Sequence, residues 1–486
     1  MAAQPEPLFV RHFRRRDYGG LSLARALPGA GRAIGVAALV VMVILALQIV
    51  GAAATIHPRV LVPSGHLHYP SWMAGPFRGY GDRVPIHELD RLLVILAGLY
   101  LVVLACSRVL PAWIAAAGLV VLTALFALAP PLFSTDIFNY VNYARLGVLH
   151  HINPYRHGAA AFTADPSYIF TGHRWRHTPT AYGPLFTLLS YAFAGLGVGG
   201  AMWALKAVAA LAALGTSALI WMCARRLGVR PVPAMLFFGL NPLVLVYAVG
   251  GGHNDLLMVL PLVLGAFLIL DGRPELGGAA LAAAAAVKLT AGLALPFVFL
   301  ASRSRWRVIL GAAIASVVIG IVGLAFFGPH ITGMIDVLHN HDELTSEITS
   351  VPGYVGHLLG VGGLTPARRV IVQGLFGVAS VLLLAYAWRR RNWLAGSAAA
   401  LVLLVASLGW LLPWYVVWAL PLAPLARRRS LPVAALALTG IVLAIQIYIY
   451  DNDFNSAGHV HSSHSTAELR PPNFRHVAAD RLVLRP

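Results

Sequence analysis

Long apolar runs separated by short polar breaks set the pattern of this chain. Crossing the hydrocarbon core of a bilayer takes roughly 20 residues in a helix. Runs suited to that task recur near 33–54, 91–107, 111–133, 201–224, 232–250, 254–271, 308–328, 367–388, 393–412, 414–426 and 431–450. Two stretches fit less simply. Residues 183–200 form a short apolar run opened by Tyr182-Gly183-Pro184, and residues 276–301 are too long for one plain span and carry Lys288 near their middle. The pattern predicts an all-α polytopic membrane protein of about 11 to 14 transmembrane segments, with short juxtamembrane helices in its longer polar loops.

Composition agrees. Of 486 residues, 58% are hydrophobic and 11% charged, which excludes an ordinary soluble fold. The net charge of +18 rests on 36 basic residues. Only Lys206 and Lys288 among them are lysines, and both sit inside apolar runs. Such a surplus beside apolar runs points to cytoplasmic loops and anionic lipid headgroups, not to nucleic acid. Cys106 and Cys223 make neither a disulfide framework nor a CxxC-type metal spacing. The first apolar run lacks a small-residue cleavage site, so it is expected to stay as a helix.

The arginine clusters orient the chain. Arg14-Arg15-Arg16, Arg108, Arg225-Arg226, Arg303/Arg305/Arg307, Arg389-Arg390-Arg391 and Arg427-Arg428-Arg429 can all be cytoplasmic on two conditions. Residues 183–200 must not cross fully, and 276–301 must fold back as a hairpin with Lys288 near its outer tip. Residues 1–32 are then a cytoplasmic segment and 33–450 the transmembrane domain. The loops 134–182 and 329–366 and the polar tail 451–486 lie outside. Lys206, near one end of its span, is expected to snorkel.

The acidic residues number 18, few enough to question individually. Glu6, Asp17, Asp82, Glu88, Asp90, Asp271, Glu275, Asp451, Asp453, Glu468 and Asp480 read as solvated loop, turn or tail positions. Asp336, Asp342, Glu343 and Glu347 lie in the 329–366 loop, as solvated positions or substrate contacts. Two stand apart. Asp136 follows directly on an apolar helix ending Pro130-Pro131-Leu132-Phe133, at a place where a carboxylate is expensive to desolvate. Asp255 ends Gly250-Gly251-Gly252-His253-Asn254-Asp255 between two apolar runs, where polar density suits a lined cavity. Either acid also fits a helix N-cap.

The 134–182 loop is 49 residues long, too long for a bare connector. It holds Asn153-Pro154-Tyr155, Arg174-Trp175-Arg176-His177 and Tyr182-Gly183-Pro184-Leu185. Aromatic rings stack on pyranose faces and guanidinium forks grip phosphate, so this loop suits sugar phosphates; an interfacial aromatic belt is the plainer reading. The same two readings apply to Trp410, Trp414, Tyr415 and Trp418. Lys288, at its hairpin tip, would be available to a phosphate.

Taken in order, Ser134-Thr135-Asp136-Ile137-Phe138-Asn139-Tyr140, Tyr182-Gly183-Pro184-Leu185, Gly252-His253-Asn254-Asp255 and Leu412-Pro413-Trp414-Tyr415 resemble the actinobacterial polyprenol-phosphate-mannose-dependent α-(1→6)-mannosyltransferases. Those membrane enzymes of the GT-C glycosyltransferase fold build lipomannan and lipoarabinomannan. The resemblance spans roughly residues 30–450. It implies a plasma-membrane protein with an extracytoplasmic site, a polyprenyl-phosphate-mannose donor and a mannan or lipomannan-type acceptor. It implies Asp136 as general base in an inverting transfer. Lys288, Arg174, Arg176 and His253 are the expected contacts to the donor phosphate. Tyr140, Tyr155, Tyr182, Asn254, Asp255, Trp414 and Tyr415 are the expected contacts to sugars. No cofactor is required by that chemistry. With Thr135 before Asp136 there is no tandem acid pair, which leaves metal dependence open. A lipid-linked-sugar flippase, or a transferase using another lipid-phosphate sugar, remains an alternative on these residues.

Overall fold

The computed structural model describes residues 28–54, 70–80, 86–341 and 349–460. Every regular element among them is helical. The chain begins with α1 (Pro28–Ala53), α2 (Ile86–Cys106), α3 (Ala112–Leu128) and α4 (Asp136–Leu149). It continues with α5 (Pro184–Tyr191), α6 (Gly197–Leu227), α7 (Pro231–Gly239), a π-helical segment (Leu243–Val249), α8 (Asp255–Leu270), α9 (Pro274–Val287) and α10 (Leu295–Ala301). It ends with α11 (Arg305–Phe327), α12 (Gly333–His341), α13 (Val351–Leu358), α14 (Pro366–Arg390), α15 (Trp393–Ser407), a 3-10 segment (Pro413–Trp418) and α16 (Ser430–Val460). Six described helices are long and apolar enough to cross a bilayer, and α7 with the π segment makes a bent seventh. The protein is an all-α, multi-pass membrane protein.

Two expected spans take another form. Residues 232–250 are broken at Asn241-Pro242, where α7 and the π segment meet at 44°. Pro242 lacks an amide donor, and the Asn241 side chain accepts from the Leu243 amide at 3.0 Å, so the local bonds close a turn in place of a helix. Residues 414–426 do not form a spanning helix. They are the 3-10 segment followed by turns, because Pro413, Pro421 and Pro424 remove the donors a helix needs. Such backbone survives at membrane depth only inside protein, and Trp414, Trp418, Leu420, Leu422 and Leu425 are indeed buried.

The 276–301 stretch folds back. α9 ends at Val287, Lys288 is extended (φ −152°, ψ 124°), and α10 returns. Arg307 at the start of α11 grips Glu275 at the start of α9, so both feet of the hairpin share one end of the bundle. Arg226 pairs with Asp271 at that same end. Asp255 and Lys288 meet at the other end of α8 and α9, about 24 Å away at 1.5 Å per residue.

Two side chains depart from the sequence reading. Lys206 does not snorkel: it is fully buried, its ammonium donating to the carbonyls of Phe126 at 3.2 Å, Val249 at 3.5 Å and Gly250. Its side chain lies on the packed face of α6 at 0% exposure, so it satisfies backbone acceptors instead. Asp90, read as solvated, is buried in α2. Arg14-Arg15-Arg16, Asp82, Asp342, Glu343, Glu347 and the tail beyond Val460, with His461 and His464, lie outside the described residues.

Candidate active site

The connector from α3 to α4 places the first acid. Pro130 and Pro131 end α3, and the Leu132 amide donates to the Gly250 carbonyl at 3.1 Å. Phe133 turns with φ +59° and stacks on Tyr247 at 4.8 Å. The Asp136 amide then donates to Ser134 Oγ at 3.1 Å and opens α4. Asp136, Asn139, Tyr140 and Tyr143 recur at helical spacing and so share one face. Asp136, Asn139 and Tyr143 line a cleft of about 50 Å³ together with Trp175, Tyr182, Trp410 and Tyr415.

The glycine turn packs behind Asp136. Gly252 has φ +70°, a region that side chains rarely adopt. A Cβ on Gly251 would stand 2.6 Å from His253 Nε2, so the missing side chain makes room for the imidazole. His253 is fully buried and stacks on Trp414 with ring centroids 3.6 Å apart. Its Nδ1 lies 3.5 Å from Asp136 Oδ2. Asn254 Oδ1 accepts from the Tyr140 hydroxyl at 3.3 Å. Asp255 Oδ1 accepts from Lys288 Nζ at 2.7 Å and from Trp418 Nε1 at 2.6 Å. Asn254 Nδ2, Asp255 Oδ2 and both His253 nitrogens are buried without a hydrogen-bond partner among the described residues. Buried polar atoms are ordinarily satisfied, so this concentration beside Asp136 is unusual.

Lys288 stands where the hairpin breaks. Beneath it the Gly183 amide donates to the Val287 carbonyl at 3.1 Å, tying Tyr182-Gly183-Pro184 to the same corner. The ammonium lies 4.7 Å from the Tyr415 ring centre and 5.1 Å from that of Trp418, within cation–π range. Burial pushes the Asp136 carboxyl up to about 6, Lys288 pulls it down, and the neighbouring Asp255 charge adds to the rise. Burial also holds the Tyr140 and Tyr182 hydroxyls well above their ordinary range, so they stay neutral donors. Among the described residues no three His, Cys, Asp or Glu side chains gather as a metal site would require.

The structure thus brings Asp136, Tyr140, Tyr182, His253, Asn254, Asp255, Lys288, Trp414 and Tyr415 together. Three expected contacts lie elsewhere. Tyr155 sits behind the cleft, its hydroxyl donating to the Tyr182 carbonyl at 2.9 Å. Arg176 stacks on Tyr168 at 4.4 Å and donates to the Thr171 carbonyl, holding its own loop. Arg174 is exposed at the rim, 5.8 Å from the Trp410 ring centre. Asp336 is exposed on α12. Two residues escaped the sequence reading. Tyr143 was legible as Asp136 plus seven. Asp165 was not: it lies in an irregular stretch, yet its buried carboxylate takes Arg145 at 3.0 Å, His150 at 2.7 Å and the Ser167 hydroxyl at 2.6 Å.

The family model for the N-terminal domain of alpha-(1→6)-mannopyranosyltransferases matches residues 32–304. The chain is 31% identical over 349 residues to Mycobacterium tuberculosis alpha-(1→6)-mannopyranosyltransferase A, covering 65% of this chain and 66% of the relative. It is 30% identical over 368 residues to a Mycolicibacterium smegmatis relative carrying the alpha-(1→6)-mannopyranosyltransferase name, with the same coverage. It is 25% identical over 404 residues to alpha-(1→6)-mannopyranosyltransferase B of Corynebacterium glutamicum, covering 74% of this chain and 63% of the relative. The match therefore spans a little under two thirds of these relatives' own length. No solved structure matches the chain.

Proposed function

Because the chain belongs to the alpha-(1→6)-mannopyranosyltransferase family, we propose that it moves mannose from a polyprenyl-phosphate-mannose donor to a mannan or lipomannan-type acceptor, forming an α-(1→6) linkage by inversion. One observation carries the reading: a half-buried carboxylate, Asp136, lines a cleft together with Tyr415, and the Lys288 ammonium stands 4.7 Å from the centre of that Tyr415 ring. Transfer from a sugar phosphate needs those two groups. The acceptor 6-hydroxyl oxygen bonds to the anomeric carbon, and its proton goes to Asp136. The anomeric C–O bond to phosphate breaks, and its electron pair leaves on a phosphate monoester. That leaving group needs no protonation, only a cation beside the growing charge, which Lys288 supplies.

We read the neutral Tyr182 hydroxyl in the cleft, with Tyr140, Asn254 and Asp255 behind it, as the contacts to sugar hydroxyls. Tyr415 lines the cleft beside an entering pyranose, Trp414 backs it from behind against His253, and Arg174 stands at the rim for an approaching phosphate. Arg176 and Tyr155 support the loop and wall. The paired Arg226–Asp271 and Arg307–Glu275 mark the opposite end of the bundle. Basic ends face the cytoplasm, which favours an extracytoplasmic site in the plasma membrane. The GT-C fold fits this arrangement of helices with a long catalytic loop after the third.

The test is mannosyl transfer in membranes carrying Asp136→Asn or Asp136→Ala. Transfer falls about 100-fold or more if Asp136 is the base; near-normal transfer by well-folded protein rejects the assignment. Labelled lipid donor consumed only when acceptor is added supports a transferase. Donor moved across vesicles without acceptor supports a flippase instead.

A further inference from the structure

We infer that His253 is the positioning residue of the Asp136 carboxylate, donating from Nδ1–H to Oδ2 and leaving Oδ1 to face the cleft. The inference rests on the reading of Asp136 as the base. Sequence alone placed His253 at the donor phosphate, but its surroundings point elsewhere. The ring is fully buried, with Trp414 against one face at 3.6 Å. Its edge is set by the vacancy at Gly251, where a Cβ would strike Nε2 at 2.6 Å. A ring held on its face and its edge has one direction left for Nδ1, and Asp136 Oδ2 lies there at 3.5 Å. Neither nitrogen has a hydrogen-bond partner among the described residues, so no competing bond sets the tautomer.

The charges nearby select the role. Burial and the ammonium groups of Lys288 and Lys206 disfavour the imidazolium, so the ring is a neutral donor and a poor proton acceptor. A neutral donor lowers the freedom of the carboxylate without consuming its charge. The 3.5 Å separation is longer than a formed bond and tightens when an acceptor hydroxyl engages the carboxylate, as catalytic contacts commonly do. Lys206 completes the support. By donating to the Val249 and Gly250 carbonyls it holds the glycine turn that presents the ring.

Three variants test this, each scored for membrane level and for a monodisperse profile in detergent. His253→Asn puts an N–H near the Nδ1 position, His253→Gln near the Nε2 position, and His253→Phe keeps the stack on Trp414 but has no donor. Phe and Gln are expected to lower kcat by about 10- to 100-fold with donor and acceptor KM within twofold. Asn is expected to recover most of kcat. The acid limb of the kcat profile in Phe and Gln is expected to move to higher pH, because the carboxylate has lost a donor. Wild-type kcat in Phe, equal rates in Asn and Gln, or a rise in donor KM at unchanged kcat overturns the inference. Asp136→Asn, run alongside, separates the two failures. An inactive Asp136→Asn with a normal His253→Phe removes only the positioning role. An active Asp136→Asn removes the base reading itself. Should His253→Phe not reach the membrane, the Asn and Gln comparison decides alone.

Discussion

Lys288 Nζ and Asp255 Oδ1 lie 2.7 Å apart at the break of the α9–α10 hairpin, joined by the Trp418 indole at 2.6 Å from the same oxygen. The Asp255 side chain is fully buried and that of Lys288 only slightly exposed. Removing one member of such a pair leaves a buried charge without compensation, at about 3–5 kcal/mol. Lys288→Met is therefore expected to lower thermal stability in detergent and to abolish transfer. The double variant Lys288→Met with Asp255→Asn should regain much of the stability and none of the transfer. Regained transfer in the double variant would show that Lys288 serves only the pair.

The Asp136 carboxyl titrates near 6. As a general base it works ionised, so transfer should rise as pH climbs through about 6 and fall below it. The groups facing Asp136 are Lys288, Asp255, His253, Tyr140, Tyr143, Tyr182 and Tyr415. Of these Lys288 is the positive charge that holds the value down. Replacing Lys288 by Gln, where residual activity permits measurement, should move the acid limb to higher pH. A limb that stays in place rejects Lys288 as the counter-charge.

Asp165 anchors the loop after α4 to that helix, on the face opposite Asp136. Burial alone would raise its carboxyl, but bonds from Arg145, Ser167 and His150 outweigh burial and hold it below the ordinary range. A group depressed in the folded state adds stability that is lost as pH falls. Asp165→Asn should lower the melting temperature at pH 7, with the gap from wild type shrinking in acid. An equal gap at every pH would mean the charge is irrelevant and only the shape matters.

Trp175 and Trp410, both lining the cleft, stack at 5.7 Å and join the 134–182 loop to the segment before the 3-10 turn. Both rings line the cleft beside Asp136, so a sugar entering it would meet them. Trp410→Ala is expected to raise acceptor KM by about tenfold, one ring face lost, with kcat changed less. A pure kcat loss with unchanged KM would assign the pair to loop folding.

The sequence by itself determined the membrane character and the helix-rich class, and it singled out Asp136 and Asp255 among the acids. Each follows from local counts: apolar run length, arginine position, and a carboxylate beside hydrocarbon. Helical spacing from Asp136 even carried Tyr140 and Tyr143 to one face. The tertiary structure alone decided which polar groups meet. Lys206 reads as a snorkelling lysine until the packing of α3 and the π segment around it shows three carbonyls and no route to water. No local count could show that His253 stacks on Trp414, 161 residues away, with its Nδ1 3.5 Å from Asp136 Oδ2. Residues 414–426 read as a span by apolarity, while Pro413, Pro421 and Pro424 make them an irregular, mostly buried segment from which Tyr415 reaches the cleft. Apolar pattern reports what leaves water. It carries no information on which buried donor finds which acceptor, because that depends on contacts between residues far apart in the chain.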